Sequence, residues 1–426
     1  MIVERIKKLL LNTSIIYSIG ILLGRVSGYI REIVIASTHH ISATSDKIIL
    51  LLTIPDFINN LLSVTTVGAI ILPLIVQFED EVEAVIYYSI RRILLLTSIF
   101  LVILIIVLGS IYQLDTFLLI TISLLSVIPN AITAVFVPYL NHKDKFLIPS
   151  LGTLIFNGVI ILFLLLSKQL YVLACGVIVA SIVRLGSIVF NSKFEGLKLS
   201  KIKEVKTGAS FSYKMLLLSI VSNGILFINP LIDKVFASRF SGGSLSILSY
   251  SEKIYLLPVS VYLTSMAVTS FPTFVRLYTT HKIKEFIRKF KEILGITSAL
   301  GLFTALIFII FNDLIVHVFY GIAGLNESNM REISKVTMGY VPMLVMSGAN
   351  AIVINSLYAI KNFKAVLYLS ILLVLMKLVF NSIILINEMD VVYIPYSTSL
   401  IGVIQLLVGL VMLYLSLKGE KEKWNS

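Results

Sequence analysis

Charge, cysteine and tryptophan are scarce in this chain. Of 426 residues only 14% are charged, against roughly 25% in soluble domains, while 58% are hydrophobic. The mean hydropathy is +0.99. So little charge cannot clothe a water-facing surface of this size, which excludes a soluble globular protein. The single cysteine, Cys175, lies in an apolar segment, so disulfide frameworks and cysteine-based metal sites are excluded as well. No GxxxxGK[ST] run is present, and with it goes the phosphate-gripping loop of a P-loop ATPase. No nucleophile–base constellation is readable, which argues against an integral acyltransferase or glycosyltransferase. His39-His40 has no partner at metal-ligand spacing and reads as a solvated loop. A channel is disfavoured too, because neither a TVGYG-like filter nor a ring of charge appears.

What is present is a series of hydrocarbon-length segments. A bilayer core takes about 20 apolar residues per helix. Twelve stretches qualify: 10–36, 47–77, 84–111, 115–140, 147–167, 170–192, 210–237, 246–275, 290–311, 333–360, 365–386 and 391–417. The basic start Arg5, Lys7, Lys8 and the apolar run behind it resemble a signal peptide, but no small-residue cleavage site follows, and the segment is expected to stay as a helix. With the N-terminus inside, 24 Lys and Arg fall in inner segments, six in outer ones and five within spans. That bias puts both termini in the cytoplasm. It also accounts for the net charge of +12 as a topology signal facing anionic lipid, with no nucleic-acid partner.

The longest polar connection, Asn191 to Lys214, divides the stretches six and six. The expected organisation is an N-lobe over 1–195, a cytoplasmic linker over 196–209 and a C-lobe over 210–426. The halves echo each other: Pro55 and Pro73 in the second stretch against Pro258 and Pro272 in the eighth, and Val127-Ile128-Pro129 in the fourth against Val341-Pro342 in the tenth. Six is even, so the repeat is parallel, which is transporter architecture. The fold class expected is an all-α integral membrane protein of twelve transmembrane helices in two pseudo-symmetric six-helix lobes.

Charges inside a span cost a few kcal/mol each and mark function by default. The first stretch carries Gly24-Arg25-Val26-Ser27-Gly28-Tyr29-Ile30-Arg31-Glu32. Gly20, Gly24 and Gly28 form a small face that lets a neighbouring helix approach. Arg25 and Glu32, seven apart, share a face beside it, and Arg31 points about 120° away from Arg25. In one reading Arg25 pairs with Glu32 or Asp46 and pins two helices. In the other the arginines hold an anionic headgroup, because the guanidinium fork suits phosphate oxygens. The excess of Arg25, Arg31, Arg184, Lys253 and Lys377 over Glu32 and Glu252 favours the second. The second stretch adds Pro55, Asp56, Asn59 and Asn60, a proline-kinked segment suited to gating or to a static bend. Asn157 and Asn350 read as interhelical glue, and the acidic run Glu79 to Glu83 as a solvated cytoplasmic loop.

The string Gly24 to Glu32 resembles the signature that opens the MurJ/MviN lipid II flippases. Ala43-Thr44-Ser45-Asp46, Ile54-Pro55-Asp56-Phe57 and Leu72-Pro73 follow at that family's spacing, and Ser249 to Pro258 resembles its motif in helix 8. The resemblance implies the MOP superfamily fold, two six-helix lobes forming a V around a cationic cavity. It also implies a polyprenyl-diphosphate-linked saccharide moved to the outer leaflet of the bacterial inner membrane without ATP. Arg25 and Arg31 match the family's cavity arginines, Glu32 its neighbouring aspartate, Asp46 a motif aspartate and Lys253 a helix 8 arginine. Asn59-Asn60 stand where the family has an arginine pair and Val67 where it has an acidic residue, and the family carries two further C-terminal helices that form a lipid groove.

The expectation is therefore a secondary transporter, not an enzyme, with Arg25, Arg31, Lys253, Asn59 and Asn60 binding substrate. Glu32, Asp46, Glu252 and Pro55 are expected to serve gating or ion coupling. No cofactor is expected; the drive would come from membrane potential, at about 2.3 kcal/mol per charge per 100 mV, or from Na+ or H+. The partners are the lipid-linked saccharide, membrane lipids and cell-envelope synthesis proteins. Two other readings stay open: a flippase for O-antigen or exopolysaccharide precursors, and a cation-coupled multidrug (MATE-type) antiporter. A non-transporting envelope scaffold is a third, with short loops offering it little docking surface.

Overall fold

The computed structural model describes residues 13–61, 64–197 and 228–425. They are helical almost throughout. In order the helices are α1 (Thr13–His39), α2 (Ala43–Leu61), α3 (Val64–Gln77), α4 (Val82–Ile111), α5 (Leu114–Leu124), α6 (Val127–His142), α7 (Leu147–Leu166) and α8 (Leu170–Phe194). They continue with α9 (Ser244–Thr279), α10 (Ile283–Tyr320), α11 (Glu327–Gly339), α12 (Val341–Ala359), α13 (Phe363–Ile386) and α14 (Tyr393–Asn425). A further helical stretch covers 228–237. Most of the linker expected at 196–209, and most of the seventh stretch, lie outside the described residues.

Eight segments among the described residues are long and apolar enough to cross a bilayer. Their outward faces carry apolar side chains such as Ile106, Leu166, Ile310 and Leu415 in the open, an arrangement tolerable only against lipid. The protein is an all-helical, multi-pass membrane protein.

The chain divides into two compact units, one of residues 1–40 and 47–227, the other of 41–46 and 228–426. In the first unit the dominant packing is α1 on α7, and the glycine face explains it. A Cβ on Gly20 would sit 2.0 Å from Ser150 Oγ, on Gly24 3.0 Å from Thr153 Cβ, and on Gly28 3.4 Å from Asn157 Nδ2. The small face thus lies directly on the Ser150–Thr153–Asn157 stripe of α7. The fourth expected span, 115–140, is two helices, α5 and α6, which part at Leu125-Ser126 just before Pro129.

The second unit repeats that device: α11 and α12 part at Tyr340, ahead of Pro342. In both places proline has no N–H for the helix ladder and restricts the residue before it. One end of this unit is closed by Phe274, Phe286, Phe290, Ile352, Leu357 and Leu413, all buried, with the Phe274 and Phe286 ring centroids 5.3 Å apart. α9 runs unbroken through Pro258 and Pro272 for 36 residues. The side chains of 261–269, between those prolines, lie outside the described ones.

Candidate functional site

Six residues separate Arg25 from Arg31, which turns them to different faces of α1, and the structure exposes Arg25 while burying Arg31 and Glu32. Arg31 Nη2 donates to Glu32 Oε1 at 3.1 Å and Nη1 to Asn157 Oδ1 at 3.0 Å. Asn157 in turn donates to Ser27 Oγ at 3.0 Å and to the Gly24 carbonyl at 3.4 Å. Its short side chain reaches across to α1 where Gly24 and Gly28 keep the facing side small. Asn157 is thus both the interhelical glue the sequence suggested and the residue that aims the Arg31 fork.

Glu32 is paired to Arg31, its immediate neighbour on α1. Long side chains at successive positions can curl toward each other around the helix edge when both are buried and each is the other's countercharge. Arg31 is also 3.9 Å from Asp56 Oδ2 on α2, and Arg184 on α8 is near enough to Asp56 to feel its charge. Arg184 lies across α7 at a glycine: a Cβ on Gly152 would come within 2.9 Å of its Nε. The Nε groups of both Arg31 and Arg184 are buried with no acceptor among the described residues. Buried N–H donors of this kind are normally satisfied.

On α2, Pro55 is buried and removes the ladder bond to the Leu51 carbonyl. Asn59, a turn further on, is half-buried with its Oδ1 lacking a donor among the described residues, while Asn60 is exposed. Asp46 belongs to the second unit, where its Oδ2 accepts from Gly243 N at 2.6 Å. Its Oδ1 accepts from Ser246 N at 2.7 Å and from Ser246 Oγ. It caps the amino end of α9, where the helix dipole favours a carboxylate.

In the second unit Glu252 and Lys253 sit half-buried on α9, and Glu252 Oε2 is 3.0 Å from Lys234 Nζ. Lys377, 2% exposed, has its Nζ 2.9 Å from Asp233 Oδ1. Lys377 counted toward the cationic excess in the sequence, yet Asp233 lies at ion-pair distance from it, as Glu32 does from Arg31. The apparent cationic excess shrinks once pairing is visible.

With this geometry in view, comparison with known proteins decides the family. A family model described as "Lipid II flippase MurJ" matches residues 35–425. The chain belongs to the lipid II flippase MurJ family. Curated MurJ relatives include a "Probable lipid II flippase MurJ" of Aquifex aeolicus, 26% identical over 321 residues, covering 69% of this chain and 62% of that protein. One from Buchnera aphidicola is 24% identical, covering 63% of this chain and 57% of the relative. These matches span less than two thirds of either curated MurJ. Among solved structures, "Lipid II flippase MurJ, inward closed conformation" superposes with a TM-score of 0.77 at 21% identity, covering 94% of this chain and 87% of that one. An inward-facing multidrug resistance MATE family transporter of the MOP superfamily gives 0.74 at 13% identity, over 92% and 95% of the two chains. The MurJ/MATE fold is therefore shared. The residues around Arg31 that sequence reasoning did not name for the candidate site are Asn157, Asp56 and Arg184, each a polar group in an apolar span, the signal that was already in hand.

Proposed function

We propose that the chain is a flippase that carries a polyprenyl-diphosphate-linked saccharide of the lipid II type from the cytoplasmic to the outer leaflet, by alternating access without ATP. The reading includes twelve transmembrane helices in two pseudo-symmetric lobes, with boundaries near 195 and 210. Both termini are cytoplasmic, and the setting is a bacterial inner membrane with cell-envelope synthesis proteins as partners. Its chief support is Arg31. A guanidinium is held in an apolar span by Asn157 and Glu32, with its Nε lacking an acceptor among the described residues, 3.9 Å from the Asp56 carboxylate, whose charge also reaches Arg184. Diphosphate oxygens are the acceptors such forks take best. Arg25 and Lys253 supply further positive charge; Asn59 and Asn60 contact the headgroup by hydrogen bonds, and Glu32, Asp46, Glu252 and Pro55 serve gating or coupling to membrane potential, Na+ or H+.

Asn59-Asn60, neutral where the family resemblance has arginines, favours a second cargo of the same class, an O-antigen or exopolysaccharide precursor. The MATE-like fold keeps a cation-coupled antiporter as the alternative of a different class.

The test is the full chain in vesicles with lipid II or a polyprenyl-diphosphate oligosaccharide in the inner leaflet. Removing a charge-assisted hydrogen bond costs about 1.5–3 kcal/mol. Arg31→Ala is therefore expected to slow flipping by at least about tenfold, with Arg31→Lys intermediate because it keeps charge and loses the fork. Unchanged flipping in both Arg31→Ala and Arg25→Ala would sink the clamp. Ethidium efflux in place of lipid movement would favour the antiporter.

A further inference from the structure

The most completely buried ionic group outside the Arg31 cluster is Lys377, and its surroundings are all oxygen. Asp233 comes from the helical stretch 228–237, Asn381 lies one turn on from Lys377 in α13, and Ser397 and Thr398 stand on α14. The Lys377 Nζ lies 2.9 Å from Asp233 Oδ1 and 3.5 Å from Ser397 Oγ, and also donates to Thr398 Oγ1. Around it the oxygens are cross-linked: Asn381 Nδ2 donates to Asp233 Oδ1 at 2.8 Å, Thr398 Oγ1 to Asp233 Oδ2 at 3.2 Å and Ser397 Oγ to Asn381 Oδ1 at 3.3 Å. The groups are buried or nearly so, with Lys377 2%, Asn381 1%, Asp233 6% and Ser397 7% exposed. The next charges out, Lys234 and Glu252, pair with each other at 3.0 Å and add no net charge.

One carboxylate and two hydroxyl oxygens converging on a single positive centre, braced by the Asn381 amide, is the kind of donor set a hard monovalent cation takes. We propose that this is a cation site occupied by the chain's own lysine: the Lys377 ammonium is a tethered cation that ties the helical stretch 228–237 to α13 and α14, and the protein takes no dissolved cation there. The ammonium brings three donors and has three oxygens to receive them, so nothing in the cage is left for a solvated ion. Cutting the lysine back leaves the Asp233 charge uncompensated in an apolar interior, a costly state that a free cation of suitable size relieves. The inference concerns the second unit's own chemistry and stands whatever saccharide is carried.

The measurement is thermal stability of the purified full chain in detergent at fixed ionic strength, with Na+, K+ or Li+ exchanged for choline. The wild type is expected to respond to the four cations no differently from Asp233→Asn, whose cage has no carboxylate. Lys377→Ala is expected to melt lower in choline and to recover, saturably, as Na+ or K+ replaces it; a hundredfold excess over the dissociation constant restores about 2.7 kcal/mol by mass action. The double variant Lys377→Ala with Asp233→Asn removes both charges and is expected to be insensitive to the cation. Saturable stabilisation of the wild type by Na+, K+ or Li+ that Asp233→Asn abolishes overturns the proposal. So does a Lys377→Ala protein that melts identically in choline and alkali cations. If Lys377→Ala cannot be purified in any salt, the wild-type titration still decides.

Discussion

The glycine face of α1 supports a graded prediction worked from three distances. Alanine at Gly28 brings a methyl 3.4 Å from Asn157 Nδ2, an ordinary contact. At Gly24 the methyl is 3.0 Å from Thr153 Cβ, so the neighbours must yield by a few tenths of an ångström. At Gly20 it is 2.5 Å from Ser150 Cβ and 3.1 Å from the Ser150 carbonyl carbon, neither of which a rotamer change removes. Carbon atoms pack at about 3.5–4.0 Å, so α1 and α7 must part by about an ångström at Gly20. Overpacking of this kind costs about 1–3 kcal/mol. Against it stands the gain of about 1 kcal/mol for replacing glycine by alanine in a helix. The expected order of thermal stability in detergent is therefore Gly28→Ala at or above the wild type, Gly24→Ala near it, and Gly20→Ala below it by about 1–2 kcal/mol. Adding Ser150→Gly to Gly20→Ala is expected to recover most of the loss. The same wedge loosens the seat of Asn157 two turns along, so flipping is expected to fall with stability in Gly20→Ala and return in the double variant. Equal stability for all three alanines would refute the close-packing argument, and so would a Gly20→Ala defect that Ser150→Gly leaves untouched.

Two further outcomes follow from side-chain geometry. Asn157→Leu strips Arg31 Nη1 of its acceptor at 3.0 Å and leaves a buried cationic donor unmet. A loss of about 1.5–3 kcal/mol is expected, read as a lower melting temperature, whereas Asn157→Asp keeps the acceptor and is expected to stay closer to the wild type. Asp46→Ala uncaps α9 at Gly243 N and Ser246 N for about 0.5–2 kcal/mol, and hydrogen exchange of the first turn of α9 is expected to rise. At Gly243 itself, φ is +98° and a Cβ would lie 2.6 Å from Ile41 Cγ2, so Gly243→Ala is expected to be the more damaging of the two; a harmless Gly243→Ala would count against the turn as drawn.

Much of the fold was legible because bilayer chemistry leaves few options. Apolar length sets the spans, and a proline without its N–H follows closely on the breaks between α5 and α6 and between α11 and α12, while α9 runs on through Pro258 and Pro272. The spacing of Gly20, Gly24 and Gly28 declared a close helix partner but not which one, since any stripe of small and short polar residues would fit and several were available. The Arg31–Glu32 pair had no signal in the sequence for a local reason: adjacent positions diverge on an ideal helix, and only burial makes the two side chains turn toward each other. Asp46 looked like a site carboxylate, and nothing nearby in sequence announced that Gly243 and Ser246 would offer it their N–H groups.

Composition, span length and the Lys/Arg bias thus determined by themselves that this is a multi-pass helical membrane protein, and the string from Gly24 to Glu32 pointed to its family. Those are properties of single segments meeting a fixed solvent. Which charges remain available and which are cancelled was decided by tertiary structure alone. Asp233 and Asn381 are 148 residues apart, and Arg31 and Asn157 126 apart, yet each pair shares one hydrogen bond. A countercharge acts over a few ångströms of space, and no local pattern records which distant helix will bring it there.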